Sequence, residues 1–347
     1  MNAQIDEAKL TTGALSPFLP GTKIQYAWDS TSLGMLKTCP RLYQYVMIDG
    51  YGSREESVHL RFGIEYHKTI EEYDKFKAAG LKHTQAMVKS IGHCLIRIWD
   101  WDPDTDTPAG NYKNQHTLLS LIIDYMDHYQ QDAAKTYIKS NGDAAVELSF
   151  RFELDWGPHS ASFYPETTEE LEEKCKGDPN STFVRQPYLL CGHLDKAVNF
   201  SDELYVKDHK TSKTTIGDYF FDQFSPNNQM TLYSLAGKVV LNTPVRGVII
   251  DAAQIKLTEP NAFKRGMTYR TKEQLDEWVS DLEYWLRQAE AYATAGYWPM
   301  NDTACDKFGG CRFRDVCSKS PQVRKIYLKS NFDQLAPEER WNPLKER

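Results

Sequence analysis

The sequence predicts an α/β fold, a central mixed sheet flanked by helices, and three observations carry that prediction. Helix-period apolar patterns occupy residues 31–47, 58–79, 82–101 and 114–138. Strand-like runs rich in β-branched and aromatic residues then take over from about 143 to 257. A long amphipathic stretch from Thr271 to about Ala295 follows them. With 347 residues, 41% of them hydrophobic, the chain can bury a substantial core as one elaborated domain or as one domain with a subdomain.

Residues 1–24 carry Gly, Pro, Thr and Ser without a periodic apolar pattern and read as a flexible arm. Asp29-Ser30-Thr31-Ser32 is a cap cluster for the first helix. A strand near 143–155 leads into a polar, Gly- and Pro-containing insertion through about 184, expected as a long loop or short helix. The stretch from Gln186 to Phe200 reads as a strand ending at the polar turn Ser201-Asp202-Glu203, and Leu204 begins its partner. Ser225-Pro226 opens a helix to about 241, with Pro in the first turn. Val245 to Lys256 reads as a buried strand and Ala262 to Arg270 as the next. The expected organisation is a single domain over 25–320, with a helical part at 30–140, a catalytic core at 143–257, a C-terminal helix and cysteine segment at 271–318, and a charged tail over 321–347.

Chemistry concentrates in Gly192-x-x-Asp195 and Asp208-x-Lys210, on adjacent strands. Side chains alternate along a strand, so Asp208 and Lys210 share a face about 6.5–7 Å apart and His209 points the other way, into packing. A hairpin brings Asp195 near Asp208, and Gly192 suggests a bulge or a close approach to the backbone. Two neighbouring carboxylates repel unless a cation lies between them; Mg2+ or Mn2+ suits such oxygen ligands, and Lys210 can orient water or steady developing charge. That is phosphoryl chemistry, although Asp-x-Lys alone also occurs by chance. His67 and Glu71 share a helix face, as do Gln229 and Tyr233. Each has a plain packing or surface explanation when taken singly. Lys207, Lys213 and Arg41 are candidate phosphate contacts, and Tyr219, Phe220, Phe221 and Phe224, with Tyr43 and Tyr45 flanking Cys39, are candidate stacking rings that serve more commonly as core.

Taken in order, His67, Asp195, Asp208-x-Lys210 and Gln229-x-x-x-Tyr233 resemble the RecB-like branch of the PD-(D/E)xK nuclease superfamily over roughly residues 28–318. The resemblance implies that His67, Asp195 and Asp208 bind the metal, that Lys210 is catalytic, and that Gln229 and Tyr233 assist at the DNA or at the lysine. It also points to Glu147 on an earlier strand. Asp208 stands where many members carry Glu, which bears on metal preference.

Seven cysteines occur, and four have a pattern: Cys39, then Cys305, Cys311 and Cys317 around the pliable Gly309-Gly310. Four thiolates suit one iron-sulfur cluster or one Zn2+. One N-terminal and three C-terminal cysteines resemble the arrangement in AddB-like nucleases and CRISPR-associated RecB-like exonucleases, which implies a structural 4Fe-4S cluster. The first C-terminal spacing is five residues rather than that family's two. Cys94, Cys175 and Cys191 read as ordinary reduced thiols.

A net charge of −7 argues against a surface that coats duplex DNA without selectivity, and no P-loop or repeat is present. The N-terminus lacks a secretion signal and no run is long enough to span a membrane, so an intracellular soluble protein is expected. The leading expectation is a metal-dependent DNA exonuclease on single-stranded ends. The alternative is an inactive DNA-binding or scaffold protein that retains the fold and a structural metal group.

Overall fold

In the computed structural model, which describes residues 16–53, 58–101, 113–158, 186–306 and 310–345, alternation and capping set the element boundaries. The chain begins with β1 (Ala27–Trp28), α1 (Ser30–Thr38), α2 (Pro40–Tyr43), a π-helical turn (Gln44–Ile48) and β2 (Tyr51–Gly52). Three helices follow, α3 (Val58–Ala78), α4 (His83–Arg97) and α5 (Gln115–His128). Then come β3 (Lys135–Thr136), β4 (Val146–Glu153), β5 (Leu189–Phe200), β6 (Glu203–Ser212), α6 (Asp218–Asp222), α7 (Asn228–Leu241), β7 (Gly247–Gln254) and β8 (Ala262–Thr268). The chain closes with α8 (Lys272–Ala295), a 3-10 turn (Asp302–Ala304), α9 (Arg314–Ser318), α10 (Pro321–Asn331) and β9 (Asp333–Gln334). This is a mixed α/β architecture. Where the sequence suggests one domain over 25–320, the described residues fall into two compact units, one drawn from Met1–Arg54, Ser149–Gly192 and Asp276–Arg347, the other from Glu55–Leu148 and His193–Leu275. No helix among the described residues is long and apolar enough to cross a membrane.

In the second unit β5 and β6 pair antiparallel from Lys196↔Lys207 to Phe200↔Glu203, and the turn residues Ser201 and Asp202 take the left-handed backbone of a tight hairpin, φ 51° and 63°. β6 pairs parallel with β7 from Tyr205↔Gly247 to Ser212↔Gln254, and β7 pairs antiparallel with β8. Register puts Val206, Asp208 and Lys210 in rows with Val248, Ile250 and Ala252 on one face, and Lys207 and His209 with Ile249 and Asp251 on the other. α7 packs on the first face; Gly237 lets it close on Val206, since a Cβ there would stand 2.7 Å from the Val206 side chain. On the second face Phe62, Tyr66 and Ile70 of α3 and Leu118, Leu121 and Tyr125 of α5 form a core that includes Ala253 and Ile255.

The first unit is anchored by aromatics. Trp28 stacks on Tyr43 at 5.5 Å, Tyr43 meets Trp298 at 5.2 Å, and the buried Tyr43 hydroxyl donates to Gln25 Oε1 at 2.8 Å. Asp29 caps α1 in a reciprocal box with Ser32, as its sequence suggests. Gly192 is a close approach: a Cβ there would lie 2.6 Å from the Phe150 ring.

Four expectations change. The helix drawn to 138 stops at His128, because the apolar period ends at Met126 and Asp132 instead accepts the Ala134 backbone N–H at 2.8 Å, starting the turn into β3. Pro226 lies before α7 rather than in its first turn; Asn227 is the cap and accepts from the Met230 N–H. The charged tail contains α10, whose Leu328 is buried with Tyr45, Tyr51 and Phe313, and β9 pairs with β2. Phe18 forms a bridge with Gln25 inside the stretch read as an arm. The insertion over 159–184 and Cys175 lie outside the described residues.

Two glycines make opposite predictions. At Gly247 a Cβ would stand 2.5 Å from the Thr268 carbonyl oxygen, so Gly247→Ala should cost about 1–3 kcal/mol. At Gly34, inside α1, nothing lies within 4 Å, so Gly34→Ala should gain about 0.5–1 kcal/mol. Denaturant midpoints measure both, and equal shifts in one direction would contradict the packing.

Candidate active site

The β5–β6 ladder stops at Lys196↔Lys207, and the following residues, Asp195 and Asp208, are arranged by side-chain bonds instead. Asp195 Oδ2 accepts the His209 backbone N–H at 3.0 Å and lies 3.1 Å from His67 Nδ1 on α3. Asp208 is 1% exposed, and its Oδ2 lies 2.6 Å from Lys210 Nζ, whose side chain is 26% exposed. His67, Asp195, Asp208 and Lys210, separated by up to 143 residues, therefore form one cluster that opens to solvent at the imidazole and the ammonium. On α7 Gln229 Nε2 donates to the Tyr233 hydroxyl at 2.9 Å; Tyr233 is buried and Gln229 half-buried.

Opposite charges determine which proton each group keeps. Burial pushes Asp195 upward, but the charge and hydrogen bond of His67 prevail and hold its carboxyl well below the usual carboxylate range. Burial disfavours the His67 imidazolium, yet Asp195 raises it on balance. For Asp208 burial prevails over Lys210 and the pKa is raised. Its Oδ2 is a buried oxygen without a well-directed hydrogen bond despite the ion pair. Such an atom, beside a second carboxylate and an imidazole, fits a hard divalent cation that favours oxygen ligands. Among the described residues no three His, Cys, Asp or Glu groups close on a single point. In this arrangement His67 is directed to Asp195 and Asp208 to Lys210.

Glu147 forms a second acidic cluster. Its backbone is left-handed, φ 51°, in a strand where that conformation is strained. Lys75 bridges Glu71 at 2.5 Å and Glu147 at 3.3 Å. Burial and the hydrogen bond to Glu147 push Glu71 up to about 7, while Glu71 and Lys75 hold Glu147 below its ordinary value.

Two candidate phosphate contacts are corrected. Lys207 is 1% exposed and paired with Asp251 at 2.6 Å, and Arg41 is buried with its Nε donating to the Trp298 carbonyl. Lys213 is exposed. Of the candidate stacking rings, Phe224 is buried and Tyr219 stands 92% exposed. Sequence reasoning missed Lys196, Asp74, Asp251 and Arg265, which lie directly behind the site; a lysine before Asp208 and another after Asp195 were the available signal.

The four patterned cysteines meet in the first unit. Cys39, Cys305, Cys311 and Cys317 line one cavity of about 340 Å3 together with Met35, Leu42 and Tyr45. Asn301 donates its backbone N–H to Cys39 Sγ at 3.3 Å and its side-chain amide to the Thr38 carbonyl at 2.8 Å, tying the end of α1 to the segment before the 3-10 turn. Cys94 and Cys191 are separately buried, as ordinary core thiols.

The Glu71 carboxyl has a measurable consequence. Its folded-state pKa is raised above the ordinary 4.5, so the protonated form favours folding: that contribution is complete below about 4.5 and is lost as pH rises through about 7. Glu71→Gln keeps a hydrogen-bonding side chain without the titration. Its melting temperature relative to the parent should climb between pH 5 and pH 8, and a constant difference would refute the raised Glu71 pKa.

A family model described as the PD-(D/E)XK nuclease superfamily matches residues 30–318. No curated protein matches the chain. Among solved structures, a chain from Eubacterium rectale with a provisional exonuclease designation is similar at 12% identity and a TM-score of 0.47, covering 87% of this chain and 92% of its own. Residues 30–318 include every member of the cluster on α3, β5, β6 and α7, and the chain belongs to the PD-(D/E)XK nuclease superfamily.

Proposed function

We propose that the chain is a metal-dependent DNA exonuclease that hydrolyses phosphodiesters at single-stranded ends during recombination, repair or viral DNA processing. One observation carries the reading: His67, Asp195, Asp208 and Lys210 gather at the frayed end of the β5–β6 ladder, with a buried carboxylate oxygen that lacks a well-directed hydrogen bond. The single-strand and exonuclease features rest on the motif resemblance to RecB-like exonucleases.

Asp195 and Asp208 would hold Mg2+ or Mn2+, with His67 as a third donor. When bound, such an ion supplies Lewis acidity at a phosphoryl oxygen and lowers the pKa of water. Asp208 holds the Lys210 ammonium at its carboxylate, 2.6 Å away, where it can orient the attacking water and offset charge on the phosphoryl oxygens. Water oxygen bonds to phosphorus as the bond to the leaving oxygen breaks, the water proton passes to solvent, and solvent returns a proton to the leaving oxygen. Gln229 and Tyr233, held to each other, are placed as a hydrogen-bonding pair for the DNA backbone or the lysine.

The four-cysteine cavity supports a structural 4Fe-4S cluster, with Zn2+ as the alternative. The four thiols share one cavity.

End-labelled DNA, linear and circular, single- and double-stranded, incubated with each metal tests the activity. Asp208→Ala should lower the cleavage rate at least about 100-fold without loss of fold. A variant as fast as the parent removes Asp208 from the reaction. Iron and sulfide assays with a visible spectrum test the cofactor. Removing the group should expose Cys305, Cys311 and Cys317 to alkylation, whereas Cys191, whose thiol burial pushes up to about 12, stays unmodified.

A further inference from the structure

Behind the two site aspartates lies a set of charges that the chemistry does not use. Lys196 follows Asp195, Lys207 precedes Asp208, and the two lysines are register partners across β5 and β6. Both are buried, at 4% and 1% exposure. Like charges directly opposite on adjacent strands destabilise a sheet, and an unpaired buried ammonium costs far more. Each is therefore held separately. Lys196 Nζ lies 2.8 Å from Asp74 Oδ1 on α3. Lys207 Nζ lies 2.6 Å from Asp251 Oδ2 on β7 and 3.4 Å from Asp132, and it donates to the Tyr125 hydroxyl at 3.0 Å. Arg265 on β8 closes the set with two 2.6 Å bonds to Asp132 and one of 3.1 Å to Asp251.

These links run to the parts the site needs. Asp74 lies seven residues after His67, on the same face of α3, so the helix reaches Asp195 through His67 and the next residue of β5 through Asp74. Asp251 also approaches the His209 ring at 3.8 Å, and the His209 backbone N–H holds Asp195. Apolar residues of similar volume would cover the same sheet face without desolvating charge, commonly at equal or greater stability. What the ions add is a fixed offset between strands and helix.

We propose that the buried pairs Lys196–Asp74 and Lys207–Asp251 are positioning groups for the divalent-ion site, setting the placement of His67, Asp195 and Asp208 from behind. The inference rests on the metal-site reading above. It is tested without DNA by titrating the full chain with Mn2+ alone, following free Mn2+ by electron paramagnetic resonance, with Asp208→Ala as the control for site binding. The double variants K196M/D74L and K207M/D251L remove both charges of a pair, the second made together with Tyr125→Phe because the buried Tyr125 hydroxyl donates to Asp251 and accepts from Lys207. Each should fold and melt at or above the parent temperature, yet bind Mn2+ about 10–100-fold more weakly. Where activity is present, saturating Mn2+ should restore kcat, so the loss lies in metal affinity. Should a double variant not fold, Asp74→Glu, which keeps the charge and lengthens the arm, is measured instead and should weaken Mn2+ several-fold. Parent-like Mn2+ affinity in the folded variants overturns the positioning role and leaves the metal site standing. A parent whose Mn2+ binding is insensitive to Asp208→Ala overturns both.

Discussion

The bond from the His209 backbone N–H to Asp195 Oδ2 is the constraint on which the site depends. Had the β5–β6 ladder continued in register, the His209 N–H would have met the Leu194 backbone carbonyl across the strands. Instead the carboxylate takes over a backbone donor, satisfying a group that the frayed ladder would otherwise leave unpaired. That single substitution fixes Asp195 against β6 and leaves its face toward His67 open.

The rest of the second unit is organised to hold that break in place. Parallel pairing of β6 with β7 runs unbroken for eight residues beside it, so Asp208 and Lys210 are carried on a strand that is rigid even where its other neighbour has let go. His209, between the two, is enclosed by Tyr66, Tyr125 and Asp251. Burial and the adjacent Lys207 push its pKa down to about 3, so it packs as a neutral ring. A residue that is inert as an acid or base thus serves through its backbone, and its flanking neighbours supply the charge.

Much of this was legible in the sequence, and the reasons are local. Period-two alternation places Asp208 and Lys210 on one face and His209 on the other, and the structure agrees because both faces of β6 are covered and a register slip would exchange them. Asp29 and Ser32 cap α1 as their spacing suggests, since capping is decided within four residues. The resemblance named the His67 cluster, which the fold gathers, although no alternation rule brings α3 to β5. What was not legible depends on long-range pairing. Lys207 reads as a phosphate contact because an isolated lysine next to Asp208-x-Lys210 is best explained by solvent and substrate; only the fold places Asp251 and Asp132 beneath it. In the same way α10 lies in a stretch dominated by charge, and its one deeply buried residue, Leu328, gains meaning only from Tyr45 and Phe313.

Two carboxylate pairs at and beside the site differ in their counter-charges. Asp195 and Asp208 each have a separate basic partner, His67 and Lys210. Glu71 and Glu147 share one lysine between them, and burial with the hydrogen bond to Glu147 pushes Glu71 up to about 7. The left-handed backbone at Glu147 fits this account: it turns the side chain toward Glu71, at a conformational cost of about 1–3 kcal/mol that an unpaired carboxylate would not repay. The difference lies in the counter-charges: Asp195 and Asp208 have one each, and Glu71 and Glu147 have one between them.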